Sequence, residues 1–298
     1  MPVALAALAA ALVLSAPTGR LEAQASSAAI ENFAAGGTEA LEAARLEYYN
    51  ARYQPAAALT LRPCTTDVNG VGACELHTAA LLLQIRNALG PSAGKASAWK
   101  DCLDCPALLS AFKVALARGQ ALARGRLEKQ PLDDETRFLL GKLDLNYVWL
   151  QLGTLGHKTG WDEYWEGRRA LDQVLVRQPG HVRARVARGW VDYIVDTRMP
   201  RGTRWLLGGG NKKKGLLAIR EAAAAESDFF TRAEARFALW DTQVRERDAA
   251  GALTTAGLLI RDFPENPELR KFIDARRSVE SSADATQQRR NPGPKRRH

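Results

Sequence analysis

The chain is poor in the residues that mark several structural classes. Only 13 prolines and four cysteines occur in 298 residues, and after residue 16 no apolar run reaches the roughly 18 residues that cross a bilayer. The low proline and glycine content excludes a collagen-like chain, and four cysteines in this length exclude a disulfide-rich miniprotein. The missing apolar runs exclude a polytopic membrane protein and leave no transmembrane segment in the mature chain. There is no G-x-S-x-G, no H-E-x-x-H and no triad signature, and the four histidines are scattered without metal-ligand spacing. We therefore expect no enzyme, no metal and no cofactor. What is abundant is 51 alanines and 39 leucines, a bias toward helices rather than sheets in a chain long enough to bury a core.

Residues 3–16 (VALAALAAALVLSA) form an uncharged apolar run too short to span a bilayer. Ala23-Gln24-Ala25 follows as an A-x-A cleavage site, so residues 1–25 read as a signal peptide and 26–37 as a flexible segment. The expected location is periplasmic or secreted, and the lack of a cysteine after the run speaks against a lipid anchor. The formal charge is +9, of which residues 276–298 contribute +5: seven Lys/Arg against Glu280 and Asp284. That polar, Pro/Gly-punctuated stretch reads as a disordered basic tail. In an exported protein, nucleic acid is not the expected partner.

Cys64 and Cys74 are separated by nine residues, Cys102 and Cys105 by two. In an exported chain an even count suggests bridges, and local pairing is preferred because both clusters lie in loop-like sequence. Pro63–Gly72 reads as a turn that a bridge would close. Haem attachment fails because Pro106 stands where C-x-x-C-H requires histidine. A zinc site would find only a half-site in Cys102 and Cys105. A redox reading places Cys105 at a helix N-cap ahead of Pro106, but no β-α-β pattern surrounds it.

Proline is segregated to joints, with none in 132–178 or 201–263. Pro131, Pro179 and Pro264 close apolar-periodic segments. Twelve residues before them stand Gly119, Gly167 and Ala252; four before stand Leu127, Leu175 and Ile260. Small residues let helices approach closely, the aliphatic fills the next turn, and proline stops the helix. Apolar stripes at helical spacing run through Leu140, Leu143, Tyr147 and Leu150; through Val182, Val186, Trp190 and Tyr193; and through Phe230, Ala233, Phe237, Trp240 and Val244. Arg188 and Asp192 pair outside the second stripe.

This pattern resembles the second helix of a tetratricopeptide repeat (TPR), most closely at Asp248–Pro267, where Ala252, Ala256, Phe263 and Pro264 fall as that repeat expects. The resemblance covers roughly 38–275 and departs from the family in its longer spacing. It implies an all-α solenoid of antiparallel helix pairs with long inter-helix loops over 38–275. The leading segment, 38–59, reads as two short helices joined near Ala51-Arg52.

One loop stands out. Asp196–Gly215 replaces a tight turn with about fifteen residues. Arg198, Arg201 and Arg204 beside Trp205 offer guanidinium forks and a flat ring. Gly208–Gly210 allow close backbone approach, and Asn211 and Lys212 open the next helix. The alternative is a packed loop whose arginines bind helix carbonyls. A second glycine-rich joint, Gly153–Trp161, reads as a packed turn, and Asp162, Glu163 and Glu166 beside Arg168 and Arg169 as a solvated helix face. The resemblance to exported TPR proteins implies a non-enzymatic scaffold of the cell envelope binding a peptide or partner protein. The alternative is a periplasmic receptor for a small anionic solute, with 198–215 as its cover.

Overall fold

The computed structural model describes residues 39–67, 70–90 and 95–290. The expected signal peptide (1–25), the 26–37 segment and residues 291–298 of the tail lie outside them. The described chain is all-helical, with no strand among the described residues. From Ala40 onward it forms one compact unit.

Helix α1 covers residues 39–49 and is followed by α2 (Tyr53–Thr66), α3 (Val71–Leu89), α4 (Lys95–Asp101) and α5 (Cys105–Lys129). Next come α6 (Asp134–Val148), which runs into a π-helical turn (Trp149–Leu155), then α7 (Trp161–Arg177) and α8 (Val182–Arg198). A 3-10 helix (Arg201–Leu207) leads to α9 (Lys212–Ala224), α10 (Phe229–Arg245), α11 (Ala249–Asp262) and α12 (Pro267–Arg290). Neighbours in sequence pack together: α2 on α3, α6 on α7, α8 on α9, α10 on α11, with α5 on α3 and α6.

Local chemistry sets the boundaries. Asp133, His181, Asn211, Asp228 and Asp248 each accept a hydrogen bond from a backbone amide two or three residues on, capping α6, α8, α9, α10 and α11. At the other end, α5, α7 and α11 stop two residues before Pro131, Pro179 and Pro264. The intervening Gln130, Gln178 and Phe263 adopt one conformation, with φ of −133°, −129° and −131° and ψ of 74°, 77° and 69°. Proline disfavours the α region for its predecessor, which favours ending the helix there.

The small residues do what their spacing predicts. A Cβ on Gly167 would lie 3.0 Å from the Gly141 carbonyl oxygen, and one on Gly215 2.5 Å from that of Gly189. Both pairs are 26 positions apart, and the second follows the first by 48, the spacing of Pro131 and Pro179. Gly119 approaches Cys74 and Leu143 in the same way, so α5 nestles against α3 and α6.

Several expectations need correction. Cys64 and Cys74 are not in a loop: the bridge joins the last turn of α2, which contains Pro63, to the first turn of α3. Cys105, bridged to Cys102, is the first helical residue of α5 rather than its cap, which is Asp104. The joint expected near Ala51-Arg52 is present, with Ala51 left-handed (φ 59°) between α1 and α2, and α2 packs on α3. Asp192 is buried rather than outside the apolar stripe, because α8 is flanked by both α7 and α9. Arg188 joins Asp192 to Asp172 of α7, at 2.7 Å from each. Finally, α12 continues to Arg290, well into the stretch expected to be disordered; no proline or glycine interrupts it before residue 292.

Candidate functional site

Helices α3, α6, α8 and α10 each send one charged side chain to a common point. Lys142 Nζ donates to Glu234 Oε1 (2.7 Å) and Arg183 Nε to Glu234 Oε2 (2.7 Å), while Glu75 lies 3.8 Å from Lys142 and 3.9 Å from Arg183. Two cations and two carboxylates thus balance inside the fold. Burial alone pushes the Glu234 carboxyl up, but Lys142 and Arg183 outweigh it and hold the group at about 2. Burial likewise opposes the charge on Lys142, and Glu234 with Glu75 restores it, leaving the ammonium above its ordinary range. The Arg183 guanidinium also lies 4.5 Å from the centroid of the Phe138 ring.

Helix α1 covers this network. Its Tyr49 ring stacks on Phe237 (5.4 Å) and Phe230 (6.3 Å) and tilts against Phe263 (5.3 Å), and Tyr48 packs edge-on to Tyr49 and Tyr53. Burial raises both phenols well above their ordinary range, and nearby Glu234 and Glu75 add to the shift. Asn266 Nδ2 donates to the Tyr49 carbonyl (2.7 Å), and Arg52 pairs with Glu265. The first described helix is thereby fastened to α10 and to the α11–α12 junction.

A cleft of about 390 Å³ remains beside α1, where the N-terminal ends of α6, α8 and α10 converge. Glu135, Arg183 and Phe230 line it, each the second residue after its helix's cap, together with Arg45, Tyr49, His181 and Asp228. His181 Nδ1 accepts from the Ala184 amide (3.1 Å), which leaves Nε2 to face Glu135 at 3.6 Å. That contact, with Arg183, draws the Glu135 carboxyl below its usual range. Arg45 makes no ion pair with a described residue; its guanidinium sits 5.7 Å from the Phe230 ring centroid. The cleft therefore offers a guanidinium, a carboxylate and aromatic faces within one small space.

The loop singled out by sequence lies apart from this cleft. Arg204 pairs with Asp196 and donates to the Met199 carbonyl at the end of α8 (3.1 Å). Lys212 pairs with Glu246, and Asn211 caps α9 through the Lys214 amide (2.9 Å). Arg198, Arg201 and Trp205 carry none of these contacts and face outward. The residue that organises the loop is Arg168 of α7, expected on a solvated face. Its side chain is largely buried, its Nη1 donates to the carbonyls of Leu207 (2.5 Å) and Gly209 (3.2 Å), and its Nη2 to that of Gly208 (2.9 Å). Tyr164 adds a bond to Leu207 (2.8 Å), and Gly208 and Gly209 take positive φ to present these carbonyls. A second, shallower cleft of about 260 Å³ lies on α7 between Arg169 and Arg177; residues 198–215 line neither cleft.

Sequence reasoning missed the cleft residues Arg45, Tyr49, Glu135, His181, Arg183 and Phe230. A signal existed for part of the set: Glu135 and Arg183 are 48 positions apart, the spacing of Pro131 and Pro179. Among the described residues no cluster of His, Cys, Asp or Glu is placed to hold a metal ion, and no helix is long and apolar enough to cross a membrane. No protein-family model, curated protein or solved structure matches the chain.

Proposed function

We propose that this chain is a non-enzymatic binding scaffold of the TPR-like helical-repeat type, exported to the cell envelope, which holds a peptide segment of a partner protein in the cleft at the N-terminal ends of α6, α8 and α10. Support for the repeat reading comes from the glycine pairs and proline-stopped helices recurring at 48 residues. Support for export comes from the apolar leader with its A-x-A site and from the two bridges. The observation that carries the binding role is Arg45, a cation without an ion-pair partner among the described residues, poised over Phe230 at the mouth of the cleft. A peptide carboxylate would answer Arg45, an amide or ammonium would answer Glu135, and an apolar side chain would lie on Phe230.

Native mass spectrometry of the protein gently extracted from its own envelope tests this. The expected result is a bound polypeptide on the wild type that is absent from Arg45→Glu, with both proteins melting alike. A polypeptide retained equally by Arg45→Glu, or none on either protein, would overturn the cleft assignment. A small anionic adduct lost from Arg45→Glu would make the chain a solute receptor. One lost instead on joint Arg204→Ala and Trp205→Ala substitution would place the solute under the 198–215 loop.

A further inference from the structure

Residues 197–220 contain seven cations and not one carboxylate. Two of the cations are used internally, Arg204 by Asp196 and Lys212 by Glu246. The other five, Arg198, Arg201, Lys213, Lys214 and Arg220, have no ion pair among the described residues. The nearby acids are already engaged: Asp196 also accepts from the Lys212 amide (2.8 Å), Glu246 from the Tyr193 hydroxyl (2.8 Å), and Glu221 is held by Arg185. Among the described residues, five exposed positive charges are therefore left unpaired within one short stretch of chain.

Large apolar side chains stand among them. Trp205 is 72% exposed, Leu206 53% and Leu217 52%. In the 3-10 helix, residues three apart share a face; buried Leu207 and half-buried Arg204 mark the inner side, so Trp205 and Leu206 point away from the fold. On α9, Gly215, Ile219 and Ala222 are buried, and the opposite face carries Lys213, Leu217 and Arg220 at i, i+4 and i+7. Arg168 clamps the carbonyls that link the two elements, so the indole is presented from a braced turn.

We propose that this face, built on Arg201, Trp205, Leu206, Lys213, Lys214 and Leu217, seats the protein on an anionic phospholipid surface. Charge complementarity selects the occupant. Unpaired Lys and Arg meet lipid phosphates, while a protruding indole and leucines enter the interfacial layer, where an amphipathic ring is most at home. An acidic peptide would call for a groove, and these side chains line neither cleft. The assignment is independent of the partner proposed above, because these residues lie outside that cleft.

Flotation of the full chain with vesicles tests it. Vesicles of phosphatidylcholine with about 30 mol% phosphatidylglycerol should bind the protein at low salt and release it at high salt, and pure phosphatidylcholine should bind it far less. Each neutralised surface cation is worth about fivefold, so joint Arg201→Gln, Lys213→Gln and Lys214→Gln substitution should weaken binding on the order of a hundredfold. Trp205→Ser, at a side chain the fold does not bury, should weaken it about tenfold with an unchanged melting curve. Equal binding to neutral vesicles, or full binding by the triple variant, would overturn the proposal. So would loss of binding only on changing Arg289, Arg290, Lys295, Arg296 and Arg297 to Gln, since the C-terminal tail would then be the attachment. Retention on immobilised polyglutamate without vesicle binding would also overturn it, in favour of an acidic protein partner.

Discussion

Two interior carboxylates show how position decides the state of a residue. Glu234 has two cations within hydrogen-bonding distance and stays ionised. Asp144, fully buried on α6, has only the Gln120 amide at 2.7 Å, and its Oδ2 has no hydrogen-bond partner. Burial, reinforced by Glu166, pushes its carboxyl up to about 8. Since the unfolded group titrates near 3.8, the folded chain holds a proton that the unfolded chain has lost between those values. Asp144 therefore makes stability fall as pH rises from about 4 to about 8. Asp144→Asn should melt higher than the wild type at pH 8, by about 5 °C, with the gap closing toward pH 4; thermal melts across that range check it. Nothing in the sequence separates Asp144 from a surface carboxylate, because the distinction lies in α7 crossing over it at Gly167.

At the scale of elements, most of the helix framework was legible, because its causes are local. A proline disfavours the α region for the residue before it, and a side chain two residues beyond caps the next helix, so Pro131, Pro179 and Pro264 could be read as stops. The glycine crossings follow from the same register. Gly215→Ala places a methyl group against the Gly189 carbonyl and should cost about 2–3 kcal/mol. Gly125→Ala, in α5 with open space around it, should instead stabilise by up to about 1 kcal/mol. Urea denaturation of the two variants makes the comparison. What local reasoning could not supply was Arg168, whose three carbonyl partners lie about forty residues downstream. It likewise missed the inward turn of Asp192, which depends on a third helix.

For the whole molecule, the decisive contact was the least visible in sequence. Asn266 and Tyr49 are 217 positions apart, and no periodicity links them. An open array of helix pairs is what the repeat pattern suggests, but α1 sets Tyr49 against Phe230 and Phe237 of α10 and against Phe263, and the Tyr49 carbonyl is held by Asn266, just ahead of α12. The cleft accordingly sits beside α1. Tyr49→Ala removes a half-buried ring packed on Phe237 and Phe263 and should cost about 2–3 kcal/mol, less than truncating a fully buried ring. In hydrogen exchange it should release α1 and also the distant α11–α12 region, while α5 keeps its protection. Faster exchange confined to α1 would mean the two ends are not coupled.

The meeting of α1 with α12 also bears on how such a chain can change in length. Stacked units normally grow or shrink at a free end by duplication or loss, with no other unit affected. Here α1 meets the α11–α12 junction, so one helix pair more or fewer between them would carry Tyr49 away from Phe237 and Phe263 and take the Tyr49 carbonyl from Asn266. The count of helices between the two is locked, like the links of a fastened chain. Extra residues can enter only where they leave that count alone, at the joints. The π-helical turn after α6 and the 3-10 segment after α8 are joints of that kind.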